Sequence, residues 1–177
     1  KHHVFASLRP EFEDITVTCT SPSKTFNLAG LQLANIIIKN TTVRRAFVHE
    51  YRVSGYSELN VMGYVSTVAA YRNGGEWYDA MHEYIRKNAE YVKEFVDANL
   101  PKIRMINHEA TYLVWLDFRK TGLSVDELDN KIIYQSRLWL DSGKIFGKSG
   151  EGFQRINVAC PRKILEEAMK RLKEVFG

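Results

Sequence analysis

The spacing of apolar side chains predicts two strands near the start of the chain. From Ile15 to Thr20 apolar residues alternate with threonines, which is the period of a half-buried strand. Residues 33–38 form an apolar run interrupted only by Asn35, and such a run predicts a strand covered on both faces. Both segments therefore indicate a sheet in the first part of the chain.

Helical spacing follows these strands. Thr41 is predicted to cap a short helix that runs to His49. Gly55 precedes Ser57, a predicted N-cap for a second helix, which carries the apolar residues Leu59, Met62, Val65, Ala69 and Ala70. Two helices are therefore expected after the strands.

A longer helix is predicted from Trp77 to Asn99. Gly74 and Gly75 separate it from the preceding helix, and it must end before Pro101. One stripe of its surface is apolar, comprising Trp77, Tyr78, Met81, Tyr84, Ile85, Val92, Phe95 and Val96. Such a stripe is typical of core packing.

The pattern after Pro101 is that of a small α+β unit with two or three strands under helices. Its apolar segments are residues 103–106, 112–118, 138–140 and 156–159. The stretch Ser124-Val125-Asp126-Glu127 has the spacing of a capping box, which opens a helix. Pro161 begins a last amphipathic helix.

Composition narrows the class of protein. The chain has 177 residues, of which 45% are hydrophobic and 26% charged, as in a globular protein with one sizeable core. No apolar run is long enough to span a bilayer, so no membrane association is expected. Cys19 and Cys160 form neither a disulfide framework nor a metal-binding spacing, which favours a cytoplasmic protein. His2 and His3 are interpreted as surface residues rather than metal ligands.

Lys24 is the main candidate for chemistry. It lies in the segment that follows the first predicted strand, and ligands of open α/β sheets bind where strands end. An amine held in a partly apolar pocket loses its proton more easily and becomes a nucleophile. By position alone, a reactive amine and an ordinary loop lysine are equally good interpretations.

The surrounding motifs extend this interpretation. Residues 21–31, Ser-Pro-Ser-Lys-Thr-Phe-Asn-Leu-Ala-Gly-Leu, resemble the cofactor-lysine motif of pyridoxal 5'-phosphate (PLP) enzymes of the class I/II aminotransferase family. Three further stretches resemble the family in the same order, namely residues 69–77, 109–117 and 152–162. The resemblance covers nearly the whole chain and is strongest to the cystathionine β-lyase-like, or C–S lyase, branch.

The resemblance implies roles for four side chains. Lys24 would bind PLP covalently and move the proton at the substrate α-carbon. Ser21 and Ser23 match hydroxyl positions beside the cofactor phosphate, with Ser21 preferred. Arg155 matches the arginine that binds the α-carboxylate of an amino-acid substrate, a task suited to a guanidinium fork.

The resemblance also implies an α/β fold of fold type I that is present only in part. Residues 1–76 would be the end of the PLP-binding large domain, residues 77–100 the connecting helix, and residues 101–177 the small domain. The aspartate that pairs with the pyridine nitrogen would lie upstream of Lys1. The chain is therefore expected to be a C-terminal fragment, inactive alone, of an enzyme that forms a homodimer.

One position departs from many aminotransferases. They carry a phosphate-binding arginine eight residues after the lysine, where this chain has Gln32. An amide donates hydrogen bonds but supplies no charge. This departure favours the lyase branch, although lyase and aminotransferase activity both stay open.

Two other classes of function remain as alternatives. The net charge of +4 allows a nucleic-acid-binding module, but acidic and basic residues alternate along the helices instead of forming one basic face. A non-catalytic interaction domain would have no reason to keep Lys24 together with Arg155. A small amino-acid substrate, with no nucleic-acid partner, is therefore the preferred prediction.

Overall fold

A computed structural model describes residues 2–56 and 58–177 of the chain. The chain divides into two compact units, of which the first ends at Asp79 and the second covers Ala80–Gly177. Each unit has its own sheet. Within the described residues, no helix is both long and apolar enough to cross a membrane.

The described residues of the first unit form a two-stranded antiparallel sheet and two complete α-helices. Its elements are β1 (Val17–Thr20), β2 (Asn35–Ile38), α1 (Thr41–Val53), α2 (Val61–Asn73) and the start of α3 (Gly75–Asn99). In the register of the two strands, Val17 is opposite Ile38 and Thr20 is opposite Asn35. Short 3-10 turns at Pro10–Ile15 and Ala29–Leu31 flank the sheet.

The strand predictions for this unit are correct in place but not in burial. Ile15 ends a 3-10 turn and β1 begins only at Val17, because alternation does not fix the first hydrogen-bonded residue. Ile36 and Ile37 are 39% and 58% exposed, so β2 is not covered on both faces. A sheet of two strands offers too few neighbours among the described residues to bury them.

Asparagines, rather than the predicted residues, cap α1 and α2. The Asn40 side chain accepts hydrogen bonds from the N–H groups of Thr42 and Val43. Asn60 caps α2 in the same way, and the predicted cap Ser57 lies outside the described residues. Asn is at least as good an N-cap as Thr, so Asn40, which is adjacent to Thr41, caps α1 in its place.

The second unit is an antiparallel sheet of four strands with helices packed on it. The strands are β3 (Arg104–Met105), β4 (Leu113–Asp117), β5 (Asp141–Ser142) and β6 (Phe153–Asn157), in the order β3-β4-β6-β5. The α-helices are the rest of α3, α4 (Val125–Asn130) and α5 (Arg162–Phe176), and a π-helical turn, Lys131–Gln135, directly follows α4. The predicted capping box at Ser124 is confirmed.

The core of the second unit lies between the sheet and its helices. The fully buried side chains include Val92 and Val96 from α3, Val114 and Leu116 from β4, and Leu165, Met169 and Leu172 from α5. The second half of the predicted α3 stripe is thus in the core, whereas Trp77 is 52% exposed. The apolar run 138–140 forms no strand. The strand in this region is β5, which consists of the two polar residues that follow the run.

The last residue of β4, Asp117, carries a buried carboxylate. Asp117 accepts hydrogen bonds from Arg119 Nε at 2.9 Å and Nη2 at 2.8 Å, and Arg104 Nη2 lies 3.4 Å away. The hydrogen bonds from the Arg119 guanidinium hold the pKa of the Asp117 carboxyl below its ordinary value, against the opposing effect of burial. Charge-assisted pairs of this kind stabilise the turn after the strand.

Asp117→Asn is expected to lower the free energy of unfolding of the second unit by about 1–3 kcal/mol near neutral pH. The folded-state pKa of Asp117 lies below its unfolded-state value. Its contribution is therefore complete above the unfolded-state pKa and is lost as the pH falls through the folded-state pKa. Urea unfolding of wild type and variant, measured from about pH 7 down to about pH 2, should give stabilities that converge at low pH.

Asp97→Asn is the matched control for that experiment. Asp97 is exposed on α3 and pairs with Lys93 one turn away. Exposed pairs contribute little, so this variant should unfold almost like wild type. A difference between Asp117→Asn and wild type that stays constant down to the lowest pH contradicts the assignment.

Candidate active site

The turn after β1 presents Lys24 on the surface of the first unit. Backbone hydrogen bonds from Phe26 N to Pro22 O, at 2.9 Å, and from Leu28 N to Ser23 O, at 3.0 Å, close the turn. Lys24 itself is exposed. The described residues of this unit therefore do not supply the partly apolar pocket expected around the amine.

The two serines flanking Lys24 are hydrogen-bonded to each other. Their Oγ atoms are 2.6 Å apart, and Ser21 Oγ donates to the Leu33 carbonyl at 2.8 Å. Since a hydroxyl has one hydrogen, Ser23 is then the donor in the pair. Ser21 Oγ also accepts from the Ser23 backbone N–H at 3.1 Å. Ser21 thus links the turn to Leu33, whereas the Ser23 hydroxyl donates within the turn.

Phe26 packs this turn against the junction of α2 and α3, a contact that the sequence patterns do not reveal. Its ring centroid lies 5.7 Å from that of Trp77 and 6.1 Å from that of Tyr71. A Cβ on Gly74 would lie 2.6 Å from Phe26 Cε1, so Gly74 gives the ring its space. The aromatic and glycine positions of residues 69–77 therefore support the segment that carries Lys24.

Arg155 lies in the middle of the second unit's sheet. It is paired across the strands with Trp115 of β4 on one side and with Asp141 of β5 on the other. Asp141 Oδ2 accepts hydrogen bonds from Arg155 Nε at 3.0 Å and from Nη2 at 2.7 Å. The guanidinium carbon is 4.5 Å from the centroid of the Phe146 ring and 6.0 Å from that of Trp115.

A pocket of about 240 Å³ opens beside Arg155. Its wall is formed by residues 106–111 together with Leu113, Trp115 and Arg155. The Arg155 side chain is 23% exposed, so part of the guanidinium is accessible although the rest is held by protein. Such an arginine can bind a carboxylate with little loss of side-chain entropy.

Asp141, Phe146 and Trp115 are neighbours of Arg155 that sequence reasoning missed. Trp115 belongs to a motif that the family resemblance includes, but its position opposite Arg155 depends on strand register. Asp141 and Phe146 lie in a segment where no strand was predicted. No local pattern marks Asp141. It could have been suggested only as an acidic residue without an assigned role that is able to pair with Arg155.

Two glycines bring the loop that carries Phe146 back to the sheet. A Cβ on Gly150 would lie 2.2 Å from the Gly143 carbonyl oxygen, and one on Gly143 would lie 1.9 Å from that of Gly150. Both obstacles are backbone atoms, so neither can give way as a flexible side chain would. The contact needs glycine at both positions.

Gly150→Ala is therefore expected to destabilise the second unit by about 1–3 kcal/mol and to loosen Phe146 from Arg155. Thermal unfolding measures the stability, and the ring resonances of Phe146 report its packing. Gly75→Ala is the control, since a Cβ there meets nothing within 4 Å and alanine favours a helix. Equal melting temperatures for Gly150→Ala and wild type would contradict the proposed close approach.

The predicted site residues thus fall into two groups. Lys24, Ser21 and Ser23 lie together on one turn of the first unit, whereas Arg155 lies in the second unit. The first group offers an amine and hydroxyl groups, and the second offers a guanidinium beside a pocket.

Comparison with known proteins identifies the family of the chain that carries both groups. The family model for aminotransferases of class I and II matches residues 2–172. The chain belongs to the class I and II aminotransferase family. Cystathionine β-lyase PatB of Bacillus subtilis is 41% identical over 177 residues, covering 100% of this chain and 46% of the relative. The Escherichia coli protein MalY is 33% identical over 154 residues, covering 86% of this chain and 40% of MalY.

A solved structure has the same fold. Cystalysin from Treponema denticola, a structure that contains PLP, superimposes with a TM-score of 0.94 at 36% identity. The match covers 99% of this chain and 44% of cystalysin. The predicted α/β fold of a fold-type I PLP enzyme is confirmed by this likeness. The chain spans about half the length of the relatives that it matches.

Proposed function

We propose that the protein containing this chain is a PLP-dependent C–S β-lyase that acts on a thioether amino acid such as cystathionine. The observation that carries the proposal is an exposed lysine between two hydroxyl residues at the end of β1, in a chain 41% identical to a cystathionine β-lyase. Gln32, where an arginine is common in aminotransferases, favours the lyase over the aminotransferase activity. In this proposal residues 1–76 are part of the PLP-binding domain, residues 77–100 the connecting helix and residues 101–177 the small domain.

The residues of the first group fit PLP in their chemistry. PLP carries an aldehyde, which an unhindered amine can attack, and Lys24 is exposed at the surface of its turn. PLP also carries a phosphate, which needs N–H and O–H donors, and Ser23 has a hydroxyl hydrogen that can be redirected from Ser21. We infer that Lys24 and Ser23 hold the cofactor, and that Ser21 shapes the turn beside it.

PLP supplies an electron sink that stabilises negative charge at the substrate α-carbon. Lys24 serves as the base that removes the α-proton, and it needs burial by residues beyond its own turn to lower its proton affinity. Arg155 binds the α-carboxylate and thereby fixes the orientation of the α C–H bond. When a thiolate leaves from Cβ, the net reaction consumes one water molecule and gives pyruvate, ammonia and a thiol.

Product analysis tests the proposed activity. The protein containing this chain, supplied with PLP and L-cystathionine, should release pyruvate and a thiol without any added keto acid. Formation of a new amino acid only when 2-oxoglutarate is added would contradict the lyase assignment and indicate an aminotransferase. The 177-residue chain alone should release no pyruvate, since the rest of the proposed cofactor pocket would come from other parts of the protein. Pyruvate release by that chain would contradict this division of the site.

We further propose that the protein acts as a cytoplasmic homodimer and binds no nucleic acid. Ile36, Ile37 and Phe47 are among the large apolar side chains exposed in the first unit, and such surface is usually covered by further protein. Light scattering should give twice the mass of the polypeptide. A monomer that keeps full activity at high dilution would contradict the dimer, and salt-sensitive retention of RNA or DNA on a filter would contradict the absence of nucleic-acid binding.

A further inference from the structure

We propose that Asp141 is a positioning residue for Arg155, which fixes one edge of the guanidinium and leaves the other edge for the substrate carboxylate. The inference rests on the proposed role of Arg155 as the carboxylate-binding group. It adds a residue to which neither the sequence motifs nor the comparisons assign a role.

Strand pairing brings the two side chains together. β5 consists only of Asp141 and Ser142 and lies at the edge of the sheet beside β6. Asp141 is directly opposite Arg155 in the register, so both side chains project from the same face. The contact is thus built into the sheet rather than formed by a chance meeting of two surface side chains.

The geometry of the pair uses one edge of the guanidinium. Asp141 Oδ2 accepts from Nε and Nη2, at 3.0 Å and 2.7 Å. Within residues 2–56 and 58–177, Asp141 is the only hydrogen-bond acceptor for the guanidinium of Arg155. A guanidinium has five N–H donors, so three remain, including both on Nη1. These donors can form the two parallel hydrogen bonds that a carboxylate accepts.

Aromatic rings restrict the remaining freedom of Arg155. Phe146 lies 4.5 Å from the guanidinium carbon, and its ring packs at 5.1 Å, edge to face, against Trp115. The rings limit tilting of the guanidinium plane, and Asp141 limits rotation within that plane. Arg155 also lines the 240 Å³ pocket. A carboxylate entering the pocket would therefore meet an arginine that is already oriented.

A competing role for Asp141 makes the opposite prediction. If its negative charge merely neutralised Arg155, removing that charge would strengthen carboxylate binding. If Asp141 positions Arg155, removing its acceptor oxygen weakens binding. Asn keeps an acceptor oxygen without the charge, whereas Ala keeps neither, so the pair of substitutions separates the two roles.

The experiment uses the PLP-loaded protein that contains this chain, with L-cystathionine as the probe. Asp141→Ala should raise KM about tenfold with a smaller change in kcat, and Asp141→Asn should stay within about threefold of wild type. Asp97→Ala, which removes an exposed aspartate paired with Lys93, is the control and should leave KM unchanged. Circular dichroism should show that all variants are folded.

A second measurement does not depend on activity. The Nε–H resonance of Arg155 in the nitrogen-15-labelled protein should exchange with water faster in Asp141→Ala than in wild type or Asp141→Asn. Unchanged exchange and unchanged KM in Asp141→Ala would overturn the proposal, as would a lower KM in both variants. If Arg155→Gln also leaves KM unchanged, the carboxylate role of Arg155 fails. If only the Arg155 substitution raises KM, that role stands and the role of Asp141 fails.

Discussion

Replacing Lys24 by alanine is expected to lower the turnover of the protein containing this chain by at least about 10³-fold, because one side chain both binds the cofactor and acts as the base. Lys24→Arg should lose nearly as much, since a guanidinium keeps the charge but cannot give up its proton at neutral pH. Pyruvate release from L-cystathionine measures the effect. Borohydride reduction of the PLP-loaded wild type, followed by mass spectrometry, should locate the cofactor on Lys24.

Lys39→Ala is the matched control for Lys24. Lys39 is also an exposed lysine of the first unit, but it lies after β2 and pairs with Glu13. This variant should retain the activity and the cofactor adduct of wild type. A reduced adduct on a lysine other than Lys24, or full turnover in Lys24→Ala, would refute the assignment.

Arg155→Gln is expected to lower kcat/KM by about 100-fold, with most of the loss in KM, because a charge-assisted bidentate contact to the substrate is removed. Arg155→Lys should recover only part of that loss. A lysine supplies charge but not the planar fork that Asp141 and Phe146 hold in place. Steady-state kinetics with L-cystathionine separate the effects on KM and kcat.

Arg104→Gln controls for the loss of a cation from the same sheet. Arg104 lies on the edge strand β3 and contacts Asp117 rather than Arg155. It should change the kinetics little, although it weakens a minor contact of Asp117. Equal kinetics for Arg155→Lys and wild type would show that the fork geometry of Arg155 is not used.

Local signals allowed much of the fold to be predicted. The Ser124 capping box is present as its spacing indicates, because each partner lies within one turn of the other. The long helix ends at Asn99, before Pro101, because the residue before a proline avoids helical geometry. Signals of this kind depend only on neighbouring residues and can therefore be recognised from the sequence alone.

Signals that depend on distant neighbours were less informative. The exposure of Ile36 and Ile37 could not be derived from an apolar run, since burial depends on what lies above and below the strand. The strand at Asp141 was missed because two polar residues show no strand pattern and are held only by pairing with β6. The hydrogen bonds of Ser21 were also not predictable, because its acceptor is the Leu33 carbonyl, twelve residues away.

Motifs in the sequence are sufficient to identify the candidate chemistry of this protein. Lys24, the hydroxyl residues beside it and Arg155 were all identified from motifs, because the residue types that bind a cofactor or a carboxylate are written directly in the chain. The way in which Arg155 is held becomes visible in the folded protein, where Asp141 contacts it across the strands and the Phe146 ring packs on it. This contact depends on strand register, which joins residues fourteen positions apart and has no counterpart in local spacing.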